Sequence, residues 1–265
     1  MHWSQAVTAL RASGRAGVLV SILSVRGHAP REAGAKMVVA SDATWGSIGG
    51  GNLEYVATQR ARTMLAEASR DAETLVDRLN EKERGKQAQQ CCGGEVTVIL
   101  EPLPALPTVA ILGVGHVGLE VARILARLEV CLVLVDSRAE MLDADRLAPL
   151  EGAASITAKH LVMPESALDE LPAGAEILVM THDHAEDYAI LDAALRRPEL
   201  GWIGLIGSSV KWGNFQRRLL DGGFSAADVA RITCPIGLPD IAGKEPAVIA
   251  VSVAADFLRR RSARS

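Results

Sequence analysis

Val109-Ala110-Ile111-Leu112-Gly113-Val114-Gly115-His116-Val117-Gly118 decides the fold of this chain. Four consecutive apolar residues suit a strand buried on both faces, as in a parallel sheet covered by helices. Glycines at 113, 115 and 118 then follow the pattern G-x-G-x-x-G, in which a tight turn lets a phosphate approach a helix N-terminus. Downstream, Val117, Val121, Ile124, Leu125 and Leu128 recur at helical spacing, and a second apolar run, Val130 to Val135, ends at Asp136. The spacing predicts a β-α-β unit in which Gly113, Gly115, His116 and Gly118 line a nucleotide phosphate and Asp136 accepts hydrogen bonds from ribose hydroxyls.

Further units of the same kind follow. Glu176 to Met180 reads as a strand, 185–196 as a helix, and Trp202 to Ile206 as another strand ending at Gly207-Ser208-Ser209. Ligands of open parallel sheets bind beyond the carboxyl ends of the strands, so these ends are expected to converge on one site. One end carries Thr181-His182-Asp183-His184, where two histidines around an aspartate suit a metal and Asp183 equally suits a helix N-cap. Gly237 to Glu245 superficially resembles a phosphate-binding loop, but it has one residue too many between its glycines and Glu245 where magnesium needs Ser or Thr, which argues against an ATPase. Pro246 suits the first position of a last helix, whose apolar run Val248 to Val253 predicts deep packing on the sheet or across a homodimer contact.

Upstream, Pro102-Leu103-Pro104-Ala105-Leu106-Pro107 reads as a stiff connector. It divides an N-terminal domain, 1–101, from a Rossmann-like domain, 108–265, so the expected class is α/β, a small α+β domain followed by a parallel-sheet domain. In the first half, Gly17 to Val25 and Ala35 to Ala40 read as strands around the loop Arg26 to Arg31. Gly49-Gly50-Gly51 leads into a helix over 53–68, and a glycine turn feeding a helix N-terminus suits an anion. Residues 71–89 are polar and read as a helix end plus an exposed loop. That loop delivers the chain to Gln90-Cys91-Cys92-Gly93-Gly94, directly before the strand-like run Glu95 to Leu100. Glycines admit a ligand to the backbone and thiolates are soft metal ligands. Core filling and a redox switch are the other readings of the vicinal pair, the switch handicapped by the strain of a disulfide between neighbours.

The 265 residues are 49% apolar and 23% charged with net charge −4, close to a globular average. That balance offers no basic face for nucleic acid. No apolar run is long enough to cross a membrane, and Met1-His2-Trp3-Ser4-Gln5 does not open like a secretory signal, so a cytoplasmic location is expected. Cys91, Cys92, Cys131 and Cys234 lack the C-x-x-C spacing of a zinc site, and Cys131, inside an apolar strand, is expected in the core.

Together Gly46 to Glu54, Gln90 to Gly94, Gly113 to Gly118, Thr181 to His184, Gly204 to Ser208 with Lys211 and Phe215, and Cys234 through Ala255 resemble the XdhC family of accessory proteins for xanthine dehydrogenase. The resemblance implies a non-catalytic chaperone of purine catabolism that binds the molybdenum cofactor and protects it during sulfuration by a cysteine desulfurase. It then inserts the cofactor into the molybdenum subunit of xanthine dehydrogenase or a related hydroxylase. It implies cofactor contacts at Cys91, Cys92, Gly93 and Gly94, with Cys91 as the molybdenum ligand, and at the glycine turns, Asp136, His182, Gly207, Ser208 and Lys211. NAD(P) or another nucleotide in the Rossmann site stays open, as does a nicotinamide-dependent oxidoreductase. Against that alternative, the sequence offers no evident acid/base set of Ser, Tyr and Lys.

Overall fold

Alternation of apolar residues builds the first of two units in the computed structural model, which describes residues 1–27, 29–79 and 94–263. This unit spans Met1–Leu106. Its elements are α1 (Trp3–Ala12), β1 (Gly17–Gly27), β2 (Lys36–Val39), β3 (Thr44–Gly46), α2 (Gly51–Ala66), β4 (Glu73–Leu79) and β5 (Gly94–Leu103). The strands pair antiparallel in the order β3-β2-β1-β5-β4. Side chains two apart in a strand share a face, so Val18, Val20 and Ile22 meet Met37, Val39, Val96, Val98 and Leu100 on one side. There α2 lays down Leu53, Ala57, Ala61 and Met64 at helical spacing. Val38 and Ala40 contact Ala6 and Leu10 of α1 in a separate cluster.

Two expectations for this half are corrected. Residues 73–79, read as a helix end and loop, form the edge strand β4. The first two residues of the proline segment belong to β5, where Pro102 pairs with Val18. Proline fits there because the β4 ladder reaches only Leu100 opposite Glu73, leaving that side of Pro102 without a strand to receive an N–H. Cys91, Cys92 and Gly93 lie outside the described residues. Gly94, next in sequence, opens β5 opposite Gly27.

The second unit spans Pro107–Ser265. It contains β6 (Thr108–Leu112), α3 (His116–Leu125), β7 (Cys131–Asp136), α4 (Ala144–Leu147), β8 (Ser155–His160), β9 (Glu176–Val179), α5 (His184–Leu195), β10 (Ile203–Leu205), α6 (Ser209–Asp221), α7 (Ala226–Val229), β11 (Ile232–Thr233) and α8 (Pro246–Ser262). All its ladders are parallel, in the order β11-β10-β9-β6-β7-β8. The chain starts in the middle, winds outward to β8, returns, and winds outward the other way. That is the doubly wound Rossmann order, with its switch point between β6 and β9.

Helices cover both faces of this sheet. Ile177, Val179, Ile203 and Leu205 pack against α5 and α6 through Ile190, Leu191, Phe215 and Leu219. On the other face Val109, Ile111, Leu132 and Leu134 meet Val121, Ala122 and Leu125 of α3 and Val253 and Phe257 of α8. A fully buried side chain of this kind contributes about 1.5–3 kcal/mol. α8 thus takes the sheet-packing role expected of it, with Val251 and Leu258 left on its exposed side. Cys131 is buried as expected. Among the described residues no helix is long and apolar enough to cross a membrane.

Candidate functional site

Two glycines of the fingerprint have separate steric reasons. Gly113 turns at φ +103°, and a Cβ there would lie 2.3 Å from the Met180 carbonyl oxygen, so only glycine lets β6 leave the sheet beside the end of β9. A Cβ on Gly118 would come within 2.1 Å of the Gly113 carbonyl oxygen, so its absence lets α3 pack onto the turn. Gly115 instead faces open space, its nearest neighbour being an Arg138 guanidinium nitrogen 4.0 Å from the position of a Cβ. No side chain caps α3, whose N-cap is Gly115, so its first amides are directed at whatever enters the crevice. His116, the first residue of α3, is exposed at this mouth.

Asp136 ends β7 and is buried, with 2% of its surface exposed. It was expected to accept ribose hydroxyls; instead its oxygens are committed within the protein. Oδ2 accepts the Val114 N–H at 2.7 Å and an Arg138 Nη2 proton at 3.1 Å, while Oδ1 accepts the Arg138 N–H and Nε–H, both at 3.0 Å. Four donors use the four acceptor positions of a carboxylate. Burial by itself pushes this carboxyl up, but Arg138 and the two amides outweigh it and hold the group below its ordinary value. Asp136 raises the Arg138 guanidinium in turn. Arg146 donates to the Val114 carbonyl at 3.2 Å, so the glycine turn is braced from both sides.

Beyond β9 and β10 the expected site residues are also tied to one another. Asp187 is fully buried in α5. One of its oxygens accepts the Thr181 N–H at 3.1 Å and lies 2.8 Å from the Thr181 hydroxyl; the other lies 2.5 Å from Lys211 Nζ. Lys211 also donates to the Ile206 carbonyl at 3.2 Å. Gly207 gives that lysine its passage, since a Cβ would be 3.0 Å from Lys211 Cδ and 3.4 Å from Cys234 Sγ. Ser208 caps α6 by accepting the Lys211 N–H. Cys234 is half-buried, and burial pushes its thiol up to about 11 despite the pull of Lys211.

Asp183 resolves the two readings of the His-Asp-His stretch in favour of a cap: its carboxylate accepts the amides of Ala185 and Glu186 and starts α5. His182 is exposed, its Nδ1 3.7 Å from a Glu186 oxygen. Among the described residues no group of three or more His, Cys, Asp or Glu is assembled to hold a metal. On the α8 side of the sheet a cavity of about 790 Å³ is lined by the expected site residue Gly207 together with Trp202, Ile206, Leu238, Ile249, Asp256 and Arg259, among others. That volume falls in the range of small-molecule sites.

The triglycine turn of the first unit is occupied by the protein's own carboxylate. Gly49, Gly50 and Gly51 all have positive φ. The turn wraps Glu54, whose Oε2 accepts the Ser47 hydroxyl at 2.6 Å, the Ile48 N–H at 3.1 Å and the Gly50 N–H at 3.0 Å. Where the sequence suggested a ligand's anion at a helix N-terminus, the turn holds the Glu54 carboxylate. A Cβ on Gly49 would touch Pro30, so the loop Pro30-Arg31 lies against this turn.

The sequence reading thus missed Arg138, Glu54 and Asp187. A signal existed for the first two: Arg138 stands two residues after Asp136, just past the strand end, and Glu54 is an acid in the first turn of a helix.

The model of the XdhC Rossmann domain matches residues 109–257, and that of the XdhC and CoxI family matches 10–76. The molybdenum cofactor insertion chaperone PaoD of Escherichia coli (strain K12) is 28% identical over 254 residues, covering 85% of this chain and 78% of PaoD. The uncharacterized protein YqeB of the same organism is 26% identical over 245 residues, covering 91% of this chain. The chain spans 43% of the length of YqeB. A crystal structure described as a xanthine dehydrogenase from Bacillus halodurans shares the fold, with TM-score 0.50 and 20% identity over 100% of this chain and 97% of that one. With the Rossmann model alone matching more than half of its residues, the chain belongs to the XdhC family.

Proposed function

We propose that this protein is a carrier and insertion chaperone for the molybdenum cofactor, without catalytic turnover of its own. The observation that carries the reading is the similarity to PaoD along 254 residues, through both units. The chemistry of the chain supports it. Cys91 and Cys92 supply soft sulfur donors suited to molybdenum, Cys91 as the metal ligand. The crevice of the second unit offers uncapped amides of α3 and a guanidinium, which suit the phosphate of such a cargo.

The reading extends to partners: a cysteine desulfurase during sulfuration, the molybdenum subunit of xanthine dehydrogenase or a related hydroxylase as recipient, and a second copy of this chain as a homodimer in the cytoplasm. The test incubates purified protein with molybdenum cofactor, separates bound from free by gel filtration and quantifies pterin by oxidation to a fluorescent product. Wild type is expected to retain cofactor and the Cys91→Ser/Cys92→Ser variant to lose it. Equal retention by the two removes the cysteine role, and no retention by wild type removes the carrier reading.

The dinucleotide fingerprint favours a second reading, a nicotinamide-dependent oxidoreductase using the same crevice. NAD(P)H oxidation with a panel of carbonyl compounds supports it if turnover is seen.

A further inference from the structure

A dinucleotide site that takes NAD keeps an acidic side chain free at the end of its second strand for the ribose diol, whereas an arginine there accommodates a 2′-phosphate. This chain has the acid at that place, Asp136, but has spent it. All four acceptor positions are filled by Val114 N–H and by the backbone and side chain of Arg138. A diol entering here must displace a charge-assisted fork on a carboxylate that is 2% exposed. The group that meets the crevice is instead Arg138. Its Nε and Nη2 hold Asp136, its Nη1 has no hydrogen-bond partner among the described residues, and its Nη2 lies nearest the open face of Gly115.

The Arg138 side chain is 28% exposed, so the guanidinium is fixed by Asp136 on one edge and open to solvent on the other. Glu186 and Glu140 also stand near it, Glu140 on the turn that follows, and Arg146 lies at the Val114 carbonyl of the same glycine turn. A fixed guanidinium edge beside a glycine turn is suited to a dianionic oxygen cluster and ill suited to a neutral diol.

We infer that the Rossmann crevice selects ligands carrying a phosphomonoester at the ribose-edge position, and that Arg138, held in place by Asp136, is the residue that reads it. Two sources carry that group: a nucleotide phosphorylated on its ribose, and the terminal phosphate of a pterin cofactor. The first stands apart from the carrier reading; the second rests on it.

The test is equilibrium binding to the full chain by calorimetry at fixed ionic strength, in two arms. One compares NADPH with NADH and adenosine 2′,5′-bisphosphate with adenosine 5′-monophosphate. The other compares molybdopterin with its phosphatase-treated form. The phosphorylated member is expected to bind at least tenfold more tightly in one arm or both, and the arm that responds identifies the source. Arg138→Ala is expected to abolish that preference through at least tenfold weaker binding of the phosphorylated member. Arg138→Lys, which keeps charge without the fork, restores part of the preference; circular dichroism confirms that both variants fold. Equal binding within every pair, tighter binding of NADH than NADPH, or no binding of any phosphorylated probe overturns the inference. A preference in the nucleotide arm alone, with no pterin bound, upholds it while removing the carrier reading.

Discussion

Lys211 Nζ stands 2.5 Å from the Asp187 carboxylate, and this contact ties the helix after β10 to the helix after β9. Asp187 is fully buried and its other oxygen holds Thr181, so three chain segments at the strand ends share one carboxylate. Removing the lysine strands a buried charge, which typically costs about 3–5 kcal/mol, whereas replacing both partners with apolar residues is often near neutral. Lys211→Met is therefore expected to lower unfolding free energy by roughly that amount, and Lys211→Met/Asp187→Leu to recover most of it. Urea denaturation of the two variants checks this. A double variant no more stable than the single one shows that Asp187 serves Thr181 more than Lys211.

Asp136 makes a pH-dependent contribution of known sign. Its folded value lies below that of an unfolded aspartate, about 3.9. The stabilisation is therefore complete above the unfolded value and disappears as pH falls through the folded one. Asp136→Asn is expected to cost about 1–3 kcal/mol at neutral pH, the scale of hydrogen bonds to a charged group. The gap between wild type and variant should narrow when urea titrations at pH 6 are repeated at pH 3. A gap that is unchanged or wider at pH 3 contradicts the bonding described for this carboxylate.

How far the sequence carries the fold depends on burial. β6, β7 and β9 are buried on both faces, so their apolar runs, followed by turn residues, were visible without any partner. β4 and β8 lie at sheet edges, and their sequences Glu73-Thr74-Leu75-Val76-Asp77-Arg78-Leu79 and Ser155-Ile156-Thr157-Ala158-Lys159-His160 carry charge and polar residues suited to a solvated edge. Nothing in such a segment alone distinguishes a strand from a loop; the ladder with β5 or β7 decides it. The site shows the same division. Gly113 and Gly118 of the crevice were legible because each needs the absence of a side chain. Whether Asp136 is free was not, since that depends on Val114 and Arg138 both turning their donors toward it.

Cys234 is poised against reaction. With its thiol pushed up to about 11 by burial, only a small fraction of molecules carries the thiolate at pH 7.5. In a Cys91→Ser/Cys92→Ser background, Cys234 is expected to alkylate with iodoacetamide orders of magnitude more slowly than in denaturant, and to accelerate as pH approaches 10. Mass spectrometry of the peptide containing Thr233-Cys234-Pro235 follows the label. Labelling at pH 7.5 as fast as a free peptide thiol contradicts the buried, protonated state.

Two glycines with positive φ separate conformational strain from collision. Gly50 turns at φ +73° and ψ −165°, a region almost confined to glycine, with no heavy atom within 4 Å of where a Cβ would be, so Gly50→Ala meets only the backbone penalty, about 1–3 kcal/mol. Gly113 turns at φ +103° and adds a 2.3 Å collision with the Met180 carbonyl oxygen, backbone against backbone. Gly113→Ala must therefore push β6 and β9 apart at their ends, where the crevice lies. It is expected to be the more destabilising by at least about 2 kcal/mol, within the range of overpacking, and Gly50→Ala to leave the second unit unaffected. Glu54→Ala, which strips the partner from the Ile48 and Gly50 amides, should resemble Gly50→Ala in scale, at about 1–3 kcal/mol. Thermal unfolding with hydrogen-exchange mass spectrometry locates each loss. Equal penalties at Gly50 and Gly113 would mean that the ends of β6 and β9 yield to a methyl group, and that the crevice is softer than its contacts imply.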